Sequence, residues 1–308
     1  MGERLRSAGY LADEGVRTAV FLAILLDQPL LLEGEPGVGK TSCASALARM
    51  SGRSFIRLQC HEGIDASAAL YDWDYRKQLL TMQSTMSSAY IGDASCVNPD
   101  SPQTRDPLHT VGSVYTREYL LRRPLLQALS EPAGCVLLID EIDRSDEEFE
   151  ALLLEFLSGY TMSIPELGTI GPPEVAPWVI LTSNATRELH GALRRRCVYH
   201  WIDLPAPAEE AEIVRMAVPG AGPALAAAVV DAVNRIRGLP LERTPGTAEV
   251  IDWARAVAGL SGGVLTVQSA TATSGVLVKT RTDKRLVETE IGGLGLGEIV
   301  SDRSDSDG

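Results

Sequence analysis

The stretch Leu30-Leu31-Leu32-Glu33-Gly34-Glu35-Pro36-Gly37-Val38-Gly39-Lys40-Thr41 decides the fold. Leu30–Glu33 reads as a short buried strand, the glycine-rich segment as a tight loop, and Thr41–Met50 as a helix. Strand, loop and helix in that order form the opening half of a βαβ unit. The loop also matches the spacing G-x-x-x-x-G-K-[ST]. Glycines there let backbone N–H groups turn inward around phosphate oxygens, and the helix that follows directs its positive end at them. The expected nucleotide-binding residues are therefore Gly34, Glu35, Pro36, Gly37, Val38, Gly39, Lys40, Thr41 and Ser42. Lys40 is placed to reach the β- and γ-phosphates, and the Thr41 hydroxyl to ligate Mg²⁺. A chance glycine turn would need neither the strand before it nor the helix after it.

A second motif lies about a hundred residues on. Leu137-Leu138-Ile139-Asp140-Glu141 is an apolar run that ends in two acids. A run of this kind fits a strand buried on both faces. Asp140 at its end can hold Mg²⁺, and Glu141 is placed to polarise an attacking water. The plain alternative is two acids capping the next helix, and pairing with the P-loop favours the catalytic reading. Asn184 follows the apolar run Trp178–Thr182, so its amide is expected at the carboxyl end of a strand, where it faces a ligand crevice. Arg194-Arg195-Arg196 stands at the expected end of a helix, where cations also suit the helix dipole. One of the three, with Arg196 favoured and Arg195 next, reads as a cation donated to a neighbour's γ-phosphate. Arg243, ahead of Thr244-Pro245-Gly246-Thr247, reads either as a sensor of that phosphate or as a solvated charge.

The remaining text supplies the frame. Asp13–Leu26 reads as a helix that packs Val20, Ile24 and Leu25, and Phe55–Leu58 as another strand. Residues 81–116 are rich in Ser, Asp, Pro and Gly and read as an irregular insert. Ser145 with Glu148 reads as a capping box, followed by Phe149, Leu152, Leu153, Phe156 and Leu157 at helical spacing up to Gly159. Beyond Pro205-Ala206-Pro207 only helical patterns occur. The expected division is an α/β nucleotide-binding core over 1–205, a helical lid over 206–291 and a disordered acidic tail over 292–308.

Composition bounds the partners. The chain has 308 residues, 45% hydrophobic and 22% charged, with a formal net charge of −13. An acidic surface repels DNA and anionic lipid, so nucleic acid is disfavoured as a ligand and another protein favoured. Cys43, Cys60, Cys96, Cys135 and Cys197 show no C-x-x-C spacing, which favours reduced thiols over a disulfide framework or zinc site. The N-terminus lacks a signal-peptide apolar run, and Val16–Leu32 is broken by Arg17, Asp27 and Pro29. A cytoplasmic protein without a membrane span is expected.

GEPGVGKT, LLIDEID, TSN, LRRRC and a helical region, in that order, resemble the AAA+ ATPases. The connecting strings AVFLAILLDQPLLLEGEPGVGKT, FIRLQCHEGID, LIDEIDRSDEEFEALLLEFL, SIPELGTI and TPGTAEVIDWARA resemble, more narrowly, the MoxR group and its CoxD-like branch over roughly Tyr10–Arg285. The resemblance implies a parallel five-stranded sheet ordered 5-1-4-3-2, an insert within the second core helix, a hairpin over Met162–Val175 and a C-terminal lid. It implies Mg²⁺-dependent ATP hydrolysis between the subunits of a ring, commonly a hexamer. It further implies remodelling or activation of a target protein together with a von Willebrand factor A domain partner. Lys40, Thr41, Asp140, Glu141 and Asn184 fall on the family's nucleotide, metal, base and sensor positions, Arg196 on the finger and Arg243 on a basic sensor. The region after Gly259 departs from the family pattern.

Three other readings compete with the remodelling ATPase. A nucleic-acid motor or restriction-type NTPase subunit is opposed by the acidic charge and by the lack of an appended basic module. A non-hydrolysing scaffold is opposed by the intact Asp140–Glu141 pair. A small-molecule kinase is opposed by the arginine run.

Overall fold

The computed structural model describes residues 1–91 and 115–293. The main sheet has strands β1 (Leu30–Gly34), β2 (Ser54–Gln59), β5 (Cys135–Asp140), β8 (Trp178–Ser183) and β9 (Val198–Ile202), in spatial order β2-β5-β8-β1-β9. Counting only these five strands along the chain gives the order 2-3-4-1-5, which is the expected 5-1-4-3-2 read from the other edge. β2 pairs with β5, and β5 with β8, in parallel registers that set Gln59 opposite Asp140 and Ile139 opposite Leu181. All six residues of β5 are buried, as its unbroken apolar text requires. Two small antiparallel pairs stand apart from it: β3 (Tyr71–Trp73) with β4 (Leu120–Arg122), and β6 (Met162–Ile164) with β7 (Gly168–Ile170). The second pair is the expected hairpin.

The helices are α1 (Gly2–Ser7), α2 (Glu14–Leu25), α3 (Lys40–Ser51), α4 (Ala66–Ala69), α5 (Tyr75–Ile91), α6 (Pro124–Ser130), α7 (Glu147–Gly159), α8 (Gly191–Arg194) and, after the sheet, α9 (Pro207–Ala217), α10 (Pro223–Arg237), α11 (Thr247–Ser261), α12 (Val267–Leu277) and α13 (Arg281–Gly293).

The chain divides into two compact units. One comprises residues 22–31 and 51–198. Its core packs Ile56 and Leu58 of β2, Leu137 and Ile139 of β5 and Leu181 of β8 against Leu125 and Leu129 of α6 and Phe149, Leu153 and Phe156 of α7. The other unit comprises residues 1–21, 32–50 and 199–308. In it Leu225, Val229 and Val233 of α10 pack with Val250, Trp253 and Val257 of α11 and with Leu277 and Val287 of α12 and α13. Trp253 is fully enclosed, and its indole N–H donates to Thr273 Oγ1 at 2.8 Å. Burying such an indole requires that partner. In the same unit the N-terminal segment is tied to α3: Arg4 donates to Met50 O at 3.1 Å, and Arg49 to Ala8 O at 2.9 Å.

Three local expectations are corrected. The N-cap of α7 is Asp146, whose carboxylate accepts from Phe149 N–H at 2.9 Å; Ser145 instead turns its hydroxyl back to Ile142 O at 2.8 Å. A carboxylate is the stronger cap at the positive end of a helix, and its place one residue after Ser145 decides the register. At the other end the helix closes at Gly159 as expected, and Tyr160 takes the left-handed position. Leu25 is exposed, as is Phe21, because α2 carries more apolar residues than one face can bury. The segment read as an irregular insert from residue 81 begins as helix: α5 continues to Ile91, since 81–91 contain neither Gly nor Pro. Residues 92–114 of that segment lie outside the described residues. So do residues 294–308 of the expected tail, whose first two residues close α13.

Candidate functional site

The P-loop leaves β1 at Gly34 and enters α3 at Lys40. Gly37 has φ of +83°, in the left-handed region, and the loop curls back on itself there. Lys40 is buried, and its ammonium group donates to Gly34 O at 2.6 Å and Glu35 O at 2.9 Å. The lysine thus already sits within its own loop, held by carbonyl oxygens of the kind that phosphate oxygens would replace. Beneath the loop, Tyr10 bonds to Cys43 on the first turn of α3, and burial raises the pKa of both, that of Cys43 to about 12.

The start of α11 rests on this loop. Ala248 N–H donates to Gly37 O at 3.1 Å. A Cβ at Gly246 would lie 2.6 Å from Pro36 O and 3.0 Å from Gly37 Cα, so only glycine permits the approach. The segment is held from behind by a buried ion pair. Arg237 of α10 forks onto Glu210 of α9, with both bonds at 2.8 Å, and donates to Pro245 O at 2.9 Å; Thr247 Oγ1 donates to the same Glu210 at 2.9 Å. The sequence reading missed these residues. Arg237 reads as a helix-terminal cation, and a Glu on an apolar helix gives no sign of its partner. Arg243, the expected sensor, is exposed and makes no hydrogen bond or ion pair among the described residues.

The second motif is built in the other unit. Asp140, at the end of β5, accepts from Thr182 Oγ1 at 2.5 Å on one oxygen and from Arg57 Nε at 3.0 Å and Nη2 at 2.5 Å on the other. Thr182 also accepts from Glu141 N–H at 3.0 Å. Glu141 adopts a left-handed conformation, with φ 56° and ψ 50°. Non-glycine residues held there are rare and cluster at functional sites. Its carboxylate accepts from Gln59 Nε2 at 3.1 Å and pairs with Arg144 Nε at 3.1 Å. Arg57 and Gln59 stand two residues apart on β2, hence on one face, beside the strand that ends in Asp140. Neither was singled out from sequence. The period of two along β2, ending opposite Asp140, was the available signal.

Asn184 lies one residue past β8 and is half-buried. Thr186 donates N–H and hydroxyl bonds to Asp143 Oδ2 at 3.1 and 2.6 Å. Burial pushes this carboxyl up, but hydrogen bonds, led by those from Thr186, outweigh it and hold Asp143 below the usual carboxylate value. The three arginines stand at the end of α8, as expected, with Arg194 its last residue. Arg196 folds back onto α7, donating to Leu154 O and Ser158 Oγ at 2.5 Å each. The exposed side chain of Arg195 makes no hydrogen bond or ion pair among the described residues, and Arg194 is half-buried.

The donor sets suit a magnesium nucleotide. The left-handed turn at Gly37 and the buried Lys40 form a phosphate cradle, and Asp140 is a fixed hard oxygen donor of the kind Mg²⁺ prefers. Among the described residues, no three His, Cys, Asp or Glu side chains gather to hold a metal on protein ligands alone. The described cysteines 43, 60, 135 and 197 are free thiols, raised to about 12 by burial. Among the described residues no helix is long and apolar enough to cross a membrane.

The chain is 27% identical to protein NorQ of Paracoccus denitrificans over 213 residues, 67% of this chain and 64% of NorQ. It is 44% identical to midasin of Giardia intestinalis over 48 residues, 16% of this chain and 1% of midasin. It thus spans less than two thirds of the length of either relative. Among solved structures it is similar to a variant of Thermotoga maritima RuvB, with a TM-score of 0.46, 18% identity and coverage of 87% of this chain and 68% of that one. It is also similar to the Thermotoga maritima RuvB Holliday junction branch migration motor, with a TM-score of 0.44, 16% identity and coverage of 94% and 69%. Residues 30–201, from the first strand of the P-loop to the last strand of the sheet, match the ATPase family associated with various cellular activities, AAA. Because that match takes in more than half of the chain and both motifs, the chain belongs to this AAA family of ATPases.

Proposed function

We propose that the chain is a MoxR-type AAA+ ATPase, of the CoxD-like branch, that works in a homo-oligomeric ring, a hexamer in its simplest form, and couples ATP hydrolysis to the remodelling or activation of a target protein. A partner with a von Willebrand factor A domain and a cytoplasmic setting belong to the same reading. The observation that carries it is the state of Glu141: a left-handed, half-buried carboxylate held by Gln59 and Arg144 beside the fixed Asp140. The sequence likeness to NorQ supports the MoxR assignment.

In this reading Gly34, Glu35, Pro36, Gly37, Val38 and Gly39 wrap the phosphates with backbone N–H groups, and Ser42 continues the wrap from α3. Lys40 leaves its two carbonyls for the β- and γ-phosphates. Thr41 and Asp140 hold Mg²⁺, which when bound neutralises charge on the phosphate oxygens. Glu141 turns from Gln59 to take a proton from the attacking water, and Asn184 orients that water. An arginine from a neighbouring subunit stabilises the charge that develops on the γ-phosphate. Arg195 is the better candidate on conformation, because Arg196 is already bound to α7 of its own chain. The division into core 1–205, lid 206–291 and tail belongs to the same proposal, with Arg243 a further nucleotide contact if the lid closes.

The test is Mg·ATP turnover per subunit over a wide range of protein concentration, for wild type, Arg195→Ala and Arg196→Ala, with sedimentation of the same samples. Turnover that rises with assembly, and that Arg195→Ala abolishes while ATP still binds, supports the ring. Full turnover by a sedimenting monomer refutes it.

A further inference from the structure

A cleft of about 640 Å³ opens in the unit that carries Asp140, lined by residues that follow β2, β5 and β8. Both signs of charge border it, but they differ in what they already hold. Arg187 is committed inward: it pairs with Glu150 and donates to Ser145 O at 2.6 Å and Glu188 O at 3.1 Å. Arg144 pairs with Glu141 at 3.1 Å. Asp146 uses one oxygen to cap α7. By contrast, the exposed side chains of Glu62 and Glu147 make no hydrogen bond or ion pair among the described residues. Asp143 lines the same cleft with only 3% of its surface exposed, and its Oδ1 has no hydrogen-bond partner. Leaving a buried charged oxygen without a donor is costly. Such an atom is a place where a ligand's N–H gains more than it would in water.

We propose that this cleft binds an organic cation, an alkylammonium or guanidinium group, with Asp143 Oδ1 as the buried acceptor and Glu62 and Glu147 as the outer charges. The cation is either a Lys or Arg side chain of a polypeptide or a free polyamine. Anions are disfavoured because both arginines are neutralised within the protein. A metal ion is disfavoured because no three ligating side chains converge among the described residues. The cleft lies wholly within one unit, so the inference stands whether or not the ring reading does.

The experiment uses fluorescein-labelled oligolysine with the full chain at low salt, read by fluorescence anisotropy. Wild type is compared with the double variant Glu62→Gln/Glu147→Gln, with Asp143→Asn, and with Glu3→Gln as a surface control for net charge. The expected result is saturable binding, weakened about tenfold or more by the double variant and by Asp143→Asn, and unchanged by Glu3→Gln. Displacement of the bound probe by spermidine assigns the free polyamine as the source; retention of the probe at excess spermidine assigns the polypeptide side chain. The double variant removes only exposed groups, so it keeps the test valid if Asp143→Asn unfolds. Absence of saturable binding, or an equal loss in Glu3→Gln, overturns the proposal.

Discussion

Gln59, the last residue of β2, and Glu141, the residue after β5, are joined: the amide of the first donates to a carboxylate oxygen of the second at 3.1 Å. The amide's own oxygen accepts from Arg57, so its orientation is set by the network and not by chance. A glutamate held in this way is turned toward a neighbour in its own chain. A hydrogen bond of this kind is worth about 1 kcal/mol when partly exposed. Gln59→Ala should therefore raise basal ATP turnover about fivefold while leaving ATP affinity unchanged. Glu141→Gln should lower turnover by about a hundredfold or more and also spare binding. Steady-state kinetics beside nucleotide titration reads both variants. If Gln59→Ala were as inactive as Glu141→Gln, the amide would belong to the chemistry and not to its restraint.

Thr182 joins the two acids through one oxygen, which donates to Asp140 Oδ1 and accepts from Glu141 N–H. The residue is fully buried, so both partners lose their bond together if the hydroxyl is removed. Thr182→Val keeps the shape and should cost about 1–3 kcal/mol of stability, with a fall in turnover; Thr182→Ser should recover most of both. Chemical denaturation and turnover measured on the same samples decide it. A Val variant with wild-type activity would mean that Asp140 and Glu141 are placed by the strand alone.

Legibility followed the range of the physical signal. The strand-loop-helix at Leu30–Thr41 and the buried run at Cys135–Asp140 are local patterns, and the elements form where those patterns lie. Arg57, Gln59 and Thr182 were not legible, because their importance arises from strand neighbours that are far apart in the chain. The Glu210–Arg237 pair escaped for the same reason, its members standing 27 positions apart. At the N-terminus of α7 the error was one of register. Ser145 and Asp146 both offer an oxygen, and the stronger cap won. Composition misplaced the start of the insert, since the glycines and prolines that mark it begin only at Gly92.

Glu210 is completely buried, and Arg237 nearly so. Removing one member leaves the other charge stranded in a medium of low polarity, which costs about 3–5 kcal/mol. Glu210→Gln or Arg237→Met alone should each lower stability by that order, whereas the apolar double replacement Glu210→Leu/Arg237→Met should recover part of the loss. Urea unfolding of the three variants gives the coupling directly. Additive losses would show that the two side chains do not depend on each other.

Asp143 ties stability to acid. Its carboxyl is held below the usual value, near 3.9 in an unfolded chain, by hydrogen bonds, led by those from Thr186, that outweigh the effect of burial. Its contribution is therefore fully present above that unfolded value and is lost as pH falls through the lower, folded one. The stability difference between wild type and Asp143→Asn should be constant near neutral pH and shrink below about pH 4. Unfolding free energies measured across that range check it, and a difference that stays constant into acid would remove Asp143 from the linkage.

Gly246 is where the helical segment touches the P-loop, and the contact leaves no room for a side chain. A Cβ there would meet Pro36 O at 2.6 Å and Gly37 Cα at 3.0 Å, both backbone atoms that cannot swing aside. The flanking bond from Ala248 N–H to Gly37 O fixes the same spot, and the Arg237–Glu210–Thr247 cluster prevents the segment from retreating. Gly246→Ala must therefore either distort the loop around Gly37 or break that bond. Overpacking of this kind costs about 1–3 kcal/mol. If the strain falls on the phosphate cradle, ATP affinity should drop about tenfold or more, with little change in turnover at saturation. Titration with a fluorescent ATP analogue reads the affinity, and denaturation reads the remainder. Unchanged affinity with a full loss of stability would place the strain in α11 and not in the cradle. In that case the contact would be a structural seat for the helix, with no part in transmitting the nucleotide state.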